Sequence, residues 1–291
     1  MVKRESVGDK AYNILVVVFL VILSLIVIYP LYYMLIVSIS DGYEVVRGDI
    51  KFFPKGINIQ AYRFILQRPS IAQSYTNTIF YTVVGTMVNV AMTALCAFPL
   101  SRKKLYGRGI FTFIVVFTMF FDAGMISNFM VVNTLGLTNT WLSIILPPAI
   151  NVWYMIIMRT FFDDIPEELH ESAYIDGAND LVIFTRIILP LSKAVLATMV
   201  LFYAVWHWNS FFPALIYLND KELYPMQLIL RNIVLEGGAG GLSTGLSSDV
   251  AAMERNIKYA VIFITVLPIL IVYPFAQKYF VKGVMVGSVK G

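Results

Sequence analysis

The most concentrated group of ionisable side chains lies between residues 161 and 191, which hold seven of the chain's eighteen acidic residues. These are Asp163, Asp164, Glu167, Glu168, Glu171, Asp176 and Asp180. The whole chain has only two histidines and one cysteine, so metal binding is not favoured. An acidic surface of this kind is instead suited to docking a soluble protein partner.

Capping residues and a glycine divide this stretch into two short helices. Asp164 is expected to cap the first helix, with Glu167 completing a capping box and Pro166 in the first turn. Gly177 is expected to end that helix. Four-residue spacing gives the helix a narrow apolar stripe made of Ile165, Leu169 and Ala173.

A second short helix follows the glycine, capped by Asn179 or Asp180 and ending near Leu189 and Pro190. The alternative interpretation is an amphipathic helix that rests on the membrane surface. Interfacial helices favour a basic polar face, whereas this face is acidic and would be repelled by anionic lipids. The sequence therefore favours two helices presented to a partner protein.

Long apolar segments must position this loop, because the composition is that of a membrane protein. Hydrophobic residues make up 58% of the 291 residues, charged residues make up 14%, and the mean hydropathy is +0.75. A membrane-spanning helix needs about 20 apolar residues. Six segments satisfy this requirement, at 12–40, 74–100, 109–132, 141–160, 192–218 and 257–280. We therefore predict an all-α integral membrane protein with six transmembrane helices in one domain, 1–291.

Basic residues set the expected orientation, because cytoplasmic loops are enriched in Lys and Arg. They occur before the first segment, in and beside the loop 101–107, and near the C-terminus, as Lys3, Arg4, Lys10, Arg102, Lys103, Lys104, Arg108, Lys278, Lys282 and Lys290. With six spans, both termini, the loop 161–191 and the tail 281–291 are cytoplasmic, and the segments 41–73 and 219–256 are extracellular. The net charge of +4 is then explained by cytoplasmic loops rather than by nucleic-acid binding.

Polar and aromatic side chains within the apolar segments are candidates for a substrate pathway, since polar groups at membrane depth usually face a cavity or a partner helix. Trp206, Trp208 and Asn209 suit stacking on sugar rings and hydrogen bonding to hydroxyl groups. For the tryptophans, an aromatic belt at the membrane surface is the alternative. Asp122 and Asn128 are also assigned to the pathway, unless the third helix ends early and Asp122 lies at the outer surface.

At residues 161–191, which we call the docking loop, the sequence resembles a known family. Residues 171–178, ESAYIDGA, followed by IILP at 187–190, look like the EAA loop of ABC importer permeases, with Ser172 in place of the first alanine. Residues 139–160, the C-terminal tail, and the segments HWNSFFPALIYL and ELYPMQLILR look like the carbohydrate-type, MalG-like permeases. Within these, the chain is most similar to the polysaccharide/oligosaccharide subgroup often called LplC- or YtcP-like. Residues 122–127, DAGMIS, depart from the subgroup's usual Gly-Gly-Leu-Ile-Pro-like stretch, which leaves the exact substrate open.

The resemblance implies a type I ABC importer permease fold with cytoplasmic coupling helices, in the plasma membrane of a bacterium. It implies pairing with a homologous second permease, two ATP-binding subunits below the membrane, and an extracellular sugar-binding protein that delivers an oligosaccharide. The residues that would couple to the ATPase are Glu168, Glu171, Ser172, Ala173, Asp176, Gly177, Ala178, Leu189 and Pro190. The sequence contains no GxxxxGK[ST] motif, so ATP and Mg are expected on the partner ATPase and no cofactor or metal on this chain.

Other classes of protein fit less well. A secondary transporter often shows inverted repeats and ionisable residues at the bilayer midplane, and a membrane enzyme needs clustered His, Asp or Glu there. Neither pattern is evident, and His207 is expected to be a packing histidine. An ABC importer permease for peptides or amino acids remains the alternative, although the tail and the HWNS segment favour sugar by resemblance.

Overall fold

A computed structural model describes residues 7–235 and 255–274, and all regular structure in these ranges is helical. The helices are α1 (Val7–Ser38), α2 (Gly42–Arg47), α3 (Gln60–Leu66), α4 (Pro69–Ser101), α5 (Arg108–Phe120), α6 (Gly124–Thr134), α7 (Leu142–Ile145), α8 (Val152–Asp163), α9 (Glu167–Ile175), α10 (Asp180–Ile183), α11 (Leu189–Leu191), α12 (Lys193–Asn209), α13 (Phe212–Tyr217), α14 (Met226–Leu235) and α15 (Arg255–Pro274). A π-helical turn, Phe184–Ile188, joins α10 to α11, and a 3-10 turn, Lys221–Leu223, precedes α14.

Three of these helices, α1, α4 and α15, are long and apolar enough to cross a membrane. Two further helix pairs are apolar enough when taken together but are bent at a short break, by 115° between α5 and α6 and by 83° between the segment Asp180–Leu191 and α12, so that each pair is either a broken span or a re-entrant loop. The described part of the chain therefore contains three candidate spans, or up to five if each bent pair is one span. The count of six stays a prediction, and the end of the last predicted segment lies outside the described residues.

Three predicted segments are not continuous helices, and the local sequence explains each interruption. Phe121, Asp122 and Ala123 separate α5 from α6, and Gly124 takes the left-handed conformation at φ +80°. Between α7 and α8 the chain contains two consecutive prolines, which lack the N–H that a helix requires. Pro213 lies in the first turn of α13, where the fifth segment resumes after a break. Pro30 and Pro99, in contrast, lie inside the unbroken helices α1 and α4.

The first compact unit comprises residues 7–68, 230–235 and 255–267 of the described ranges. Its small core joins the end of α1 to α2 through Ile36, Val37, Val45 and Ile50. The most apolar window of α1 has no buried residues within the chain, which is the pattern of a helix that faces lipid or another subunit.

The second unit comprises residues 69–229 and 268–274 and carries the docking loop. Its core is formed mainly by α4, α8 and α12, with Met155, Met158 and Met199 fully buried. Ile183 and Ile188, from the second arm of the docking loop, are fully buried in the same core. The loop is thus rooted in the packed interior of the helices rather than attached by a surface tether.

Side chains from α4 and α12 satisfy the broken backbone between α7 and α8. The amide of Asn89 donates to the carbonyl oxygen of Pro148, and the backbone N–H of Asn151 donates to the Tyr203 hydroxyl at 3.0 Å. Asn151 then caps α8 by accepting from the N–H of Tyr154 at 3.1 Å. Backbone groups that a helix break frees inside a membrane need such partners, because lipid offers none.

His207 belongs to the same buried polar layer. Its Nε2 lies 3.0 Å from Oδ1 of Asn89, and the residue is only 3% exposed. The ring packs directly against Gly85, where an added Cβ would lie 2.4 Å from the imidazole. His207 is therefore a packing histidine with a structural hydrogen bond, and Gly85 makes room for it.

Replacing Gly85 by alanine is expected to destabilise the protein by roughly 1–3 kcal/mol, the usual cost of overpacking a tight interior. Gly109 is the matched control, because it is also helical and a Cβ there meets nothing within 4 Å. Thermal unfolding in detergent should show a lower midpoint for Gly85→Ala and an unchanged or higher midpoint for Gly109→Ala. Equal midpoints for the two variants would contradict the close packing of His207.

Candidate docking loop and substrate cavity

The first helix of the docking loop, α9, begins differently from the prediction. Its N-cap is Pro166, which makes no side-chain capping hydrogen bond, and Asp164 is instead the C-cap of α8. The predicted Asp164–Glu167 capping box is therefore wrong, because α8 runs on to Asp163 and leaves Pro166 at the cap position. Glu167 and Glu168 still lie in the first turn, where carboxylates favour the positive end of the helix.

Gly177 does end α9, through a Schellman motif. Its φ is +80°, its N–H donates to the Tyr174 carbonyl at 3.0 Å, and the Ala178 N–H donates to the Ala173 carbonyl at 2.9 Å. A left-handed residue is required at this position, and glycine adopts it without strain. The next helix is capped by Asn179, whose side chain accepts from the N–H of Val182 at 2.9 Å.

The residues assigned to ATPase coupling divide by exposure. Ala173 is buried, and Ala178 and Leu189 are half-buried and pack against the core. The others are exposed, namely Glu168, Glu171, Ser172, Asp176, Gly177 and Pro190. The tip of the loop is apolar, because Ile175 is 86% exposed just before the glycine turn and Leu181 is also exposed after it. An apolar tip with flanking carboxylates is suited to entering a cleft on another protein.

A groove separates the two arms of the loop. Its volume is about 390 Å³, and its lining consists of Leu169, Ser172, Ala173, Asp176, Arg186, Ile187, Pro190 and Leu191. The lining mixes aliphatic side chains with one acid and one base, so a partner that docks on the loop has both apolar and charged contacts to make.

Acidic residues of the docking loop form ion pairs with basic residues from elsewhere in the chain, which the sequence did not indicate. Lys104 Nζ lies 3.1 Å from Glu171 Oε1 and 3.6 Å from Glu167 Oε1, and Arg108 contacts Asp163 at 2.8 Å. The hydrogen bond that Lys104 donates to Glu171 is the main cause that raises the pKa of Lys104. The basic residues in and beside the loop 101–107 therefore lie at the same end of the helices as the docking loop, as the predicted orientation requires.

His170 is the one histidine in the docking loop, and it faces inward. The residue is buried, and its ring stacks on Phe98 with 6.3 Å between centroids. Burial, reinforced by the charge of Arg102, lowers the pKa of His170 below its ordinary value. The neutral ring packs the loop onto α4. Among the described residues, no group of three or more His, Cys, Asp or Glu is placed to hold a metal ion.

Two of the pathway candidates line a large cavity beside α12. Its volume is about 900 Å³, and it is lined by Tyr154, Leu201, Phe202, Val205, Trp206, Asn209, Ser210, Phe211, Phe212, Pro213, Ile269 and Tyr273. Asn209 is the last residue of α12, and its amide nitrogen donates to the Val205 carbonyl at 2.7 Å. Sequence reasoning missed the tyrosines, since Tyr154 and Tyr273 come from other helices.

The remaining candidates lie elsewhere. Trp208 packs edge-on against Tyr75, with 6.1 Å between the ring centroids, and lines a smaller cavity of about 220 Å³. Asp122 lies in the break between α5 and α6, where it accepts from the Gly124 N–H at 3.0 Å and from the Asn128 amide at 3.3 Å. Both Asp122 and Asn128 are exposed within the chain, and neither lines the two cavities. The structure thus brings Trp206 and Asn209 together in one cavity and joins Asp122 to Asn128 by a hydrogen bond.

Long apolar helices, a helix break whose backbone groups are satisfied by side chains, and a polar loop packed into the core are the features of a helical membrane protein. The chain belongs to the family described as binding-protein-dependent transport system inner membrane component, whose profile matches residues 89–286. The predicted resemblance to ABC importer permeases is thereby confirmed, and the chain is a pore-forming subunit of that class.

Individual relatives cover nearly the whole chain. The chain is 42% identical over 290 residues to the polygalacturonan/rhamnogalacturonan transport system permease protein YtcP of Bacillus subtilis (strain 168), with 97% of this chain and 99% of that protein covered. It is 41% identical over 288 residues to Protein LplC of the same strain, with 99% and 98% covered.

A solved structure has the same fold. It is described as a bacterial ABC transporter involved in the import of the acidic polysaccharide alginate, and one of its chains superposes with a TM-score of 0.87 at 34% identity. The match covers 95% of this chain and 99% of that chain. The expected similarity to the LplC- and YtcP-like subgroup is confirmed by these relatives.

Proposed function

We propose that this chain is the transmembrane permease subunit of an ATP-driven ABC importer for oligosaccharides or polysaccharide fragments. The observation that carries the proposal is the exposed helix–glycine–helix of the docking loop, whose second arm is buried in the core beside α12. A force applied to α9 by a motor protein would reach the helices that line the large cavity. The sugar assignment is supported by YtcP, whose description names polygalacturonan and rhamnogalacturonan, and by the importer of the acidic polysaccharide alginate.

The proposed assembly has five parts. A homologous second permease completes the pore, two ATP-binding subunits bind the docking loops, and an extracellular sugar-binding protein delivers the oligosaccharide. This chain carries no phosphate-binding loop motif, which supports the assignment of ATP, Mg and hydrolysis to the separate subunits. The chain itself is proposed to bind no cofactor, metal or nucleic acid.

The proposed topology has six spans in the plasma membrane of a bacterium, with both termini in the cytoplasm. The loop 161–191 then faces the ATPase, the segment 219–256 faces the binding protein, and the tail 281–291 is cytoplasmic. The contacts of Lys104 and Arg108 with the docking loop support the placement of these basic and acidic segments on one side. We propose one six-span permease domain, 1–291, in which the helix breaks after α5 and α7 allow the helices of the pore to move.

The 900 Å³ cavity is the proposed sugar route within this chain. Aromatic rings stack on the apolar faces of sugars, and Trp206, Tyr154 and Tyr273 supply such rings. One N–H of the Asn209 amide donates to the Val205 carbonyl within α12, so the amide oxygen and the second N–H remain to hydrogen-bond a sugar hydroxyl. Trp208, Asp122 and Asn128 stay candidates for other parts of the route.

Reconstitution tests the proposal directly. The chain should co-purify from detergent with a second permease and an ATP-binding subunit, and proteoliposomes containing the complex and its binding protein should accumulate labelled oligosaccharides only with internal ATP. Oligogalacturonides, neutral oligosaccharides and oligopeptides should be compared at equal concentration. ATP-driven uptake of peptides alone would favour the alternative importer class, and uptake without ATP-binding subunits would favour a secondary transporter.

A further inference from the structure

Two charged residues beside the docking loop occupy helix positions that disfavour their charge. Arg108 is the first residue of α5, and Asp163 is the last residue of α8. A cation at a helix N-terminus and an anion at a C-terminus each oppose the helix dipole, usually at about 0.3–1 kcal/mol. The helix dipole therefore explains neither residue, and the explanation must lie in what the two side chains contact.

The guanidinium of Arg108 joins the ends of three helices. Its Nη2 donates to Asp163 Oδ2 at 2.8 Å and to Oδ1 at 3.0 Å, and its Nε donates to the carbonyl oxygen of Leu100 near the end of α4 at 2.8 Å. The Arg108 and Asp163 side chains are only 24% and 26% exposed. Arg159 adds a second cation at 3.8 Å from Asp163.

The position of this cluster ties it to the docking helix. Asp163 ends α8 just before the turn that leads into α9. Lys104, in the loop that precedes Arg108, contacts Glu171 and Glu167 on α9, but these two ion pairs are well exposed. Exposed ion pairs usually contribute about 0–1 kcal/mol, whereas a half-buried and multiply bonded arginine is held far more firmly. Arg108 therefore holds the end of α8, which leads into α9, firmly against α4 and α5, in addition to the packing of His170 on α4.

We propose that Arg108 and Asp163 are positioning residues that transmit the displacement of the docking helix to α4 and α5. The inference rests on the proposed function and adds the contacts through which a movement of the ATP-binding subunits passes from the docking loop to the membrane helices. Neither residue touches substrate. Arginine is required because its planar fork bonds a carboxylate and a carbonyl together, which the single ammonium of lysine does not reproduce.

The first test measures coupling in the assembled complex. Oligosaccharide uptake and ATP hydrolysis are recorded in the same proteoliposomes for Arg108→Gln, Arg108→Lys, Asp163→Asn and the exposed-pair control Lys104→Gln. The number of sugar molecules imported per ATP hydrolysed should fall by about fivefold or more in the three cluster variants, because fivefold is the low end of ordinary coupling effects. The content of assembled complex should not change. Lys104→Gln should keep the wild-type ratio of sugar imported to ATP hydrolysed. A preserved ratio in Arg108→Gln, or equal losses of uptake and hydrolysis, would overturn the proposal.

A second test does not depend on transport. Spin labels at the exposed Ile175 on α9 and Phe113 on α5, in a Cys96→Ser background, report the distance between the two helices in the full chain in lipid nanodiscs. The distance distribution should broaden in Arg108→Gln and Asp163→Asn but not in Lys104→Gln. An unchanged distribution overturns the positioning role. A wild-type complex that imports no oligosaccharide would instead count against the proposed function, with this distance measurement still deciding the role of Arg108.

Discussion

Replacing Gly177 by valine is expected to abolish oligosaccharide uptake while the chain remains in the membrane. The φ of +80° places this residue in the left-handed region, which costs an L-residue roughly 1–2 kcal/mol and a β-branched residue more. Relief of that strain turns the backbone out of the Schellman motif and redirects α10, which begins three residues later at Asp180. The two arms of the docking loop would then no longer present one surface. Uptake by proteoliposomes and membrane content by immunoblot measure the two parts of this expectation.

Gly136 offers a matched control for this substitution. It has φ +67° and ends α6 through the same pair of hydrogen bonds, Gly136 N–H to the Asn133 carbonyl at 2.9 Å and Leu137 N–H to the Val132 carbonyl at 3.1 Å. At both glycines a Cβ would meet nothing within 4 Å, so the backbone strain is alike. Gly136→Val should lose stability but keep the ratio of uptake to hydrolysis. Gly177→Asn should retain uptake, because asparagine tolerates the left-handed conformation. Normal uptake by Gly177→Val would contradict the assigned role of the turn.

Local signals in the sequence were sufficient to place the turn but not the start of the docking helix. Glycine after a helical pattern has a specific backbone meaning, so the end of α9 at Gly177 follows from residue type alone. The start depends on where the preceding helix stops, and α8 continues to Asp163 because tertiary packing extends it. The residue type of Asp164 suits the N-cap of α9, but in the fold this residue is the C-cap of α8. Helix ends compete for the same residues, and a single sequence does not settle that competition.

Long-range contacts explain the features that the sequence could not supply. Hydrophobicity alone located α1 and α4, but it joined α7 to α8 because a short break of prolines within an apolar run barely lowers the mean hydropathy. The break is stabilised by Asn89 and Tyr203, which lie on helices distant in sequence. The pairing of Lys104 and Arg108 with acids some 60 residues away is equally invisible to local patterns.

Helix periodicity separates the aromatic cluster that the sequence presented as one group. Residues three apart share a helix face, whereas residues two apart do not. Trp206 and Asn209 accordingly line the same cavity, and Trp208 faces Tyr75 and a different cavity. The tyrosines that complete the large cavity come from α8 and α15, so only the folded chain reveals them. The proposed sugar route is therefore better defined by cavity walls than by a run of polar residues.

Replacing Trp206 by alanine is expected to lower oligosaccharide uptake by about tenfold, because a lost aromatic contact removes up to about 1.5 kcal/mol beyond its buried area. Asn209→Ala should lower uptake by about two- to tenfold, the effect of one neutral hydrogen bond. Trp206→Phe keeps a ring in the cavity wall and should retain most of the uptake. Substrate-stimulated hydrolysis should fall with uptake in both alanine variants, whereas basal hydrolysis and the content of assembled complex should not change.

Comparing Trp208→Ala with Trp206→Ala distinguishes a loss of sugar contact from a general loss of packing. This tryptophan packs on Tyr75 and lines the smaller, wholly apolar cavity, so its loss should lower thermal stability as well as uptake. Trp206 is 39% exposed within the chain, and its removal leaves the packed core intact, so its variant should unfold near the wild-type midpoint. A dependence of the Trp206→Ala defect on oligosaccharide concentration would place the loss in sugar binding. Unchanged uptake in Trp206→Ala, Trp208→Ala and Asn209→Ala would remove this part of the chain from the sugar route and assign substrate contact to the sister permease.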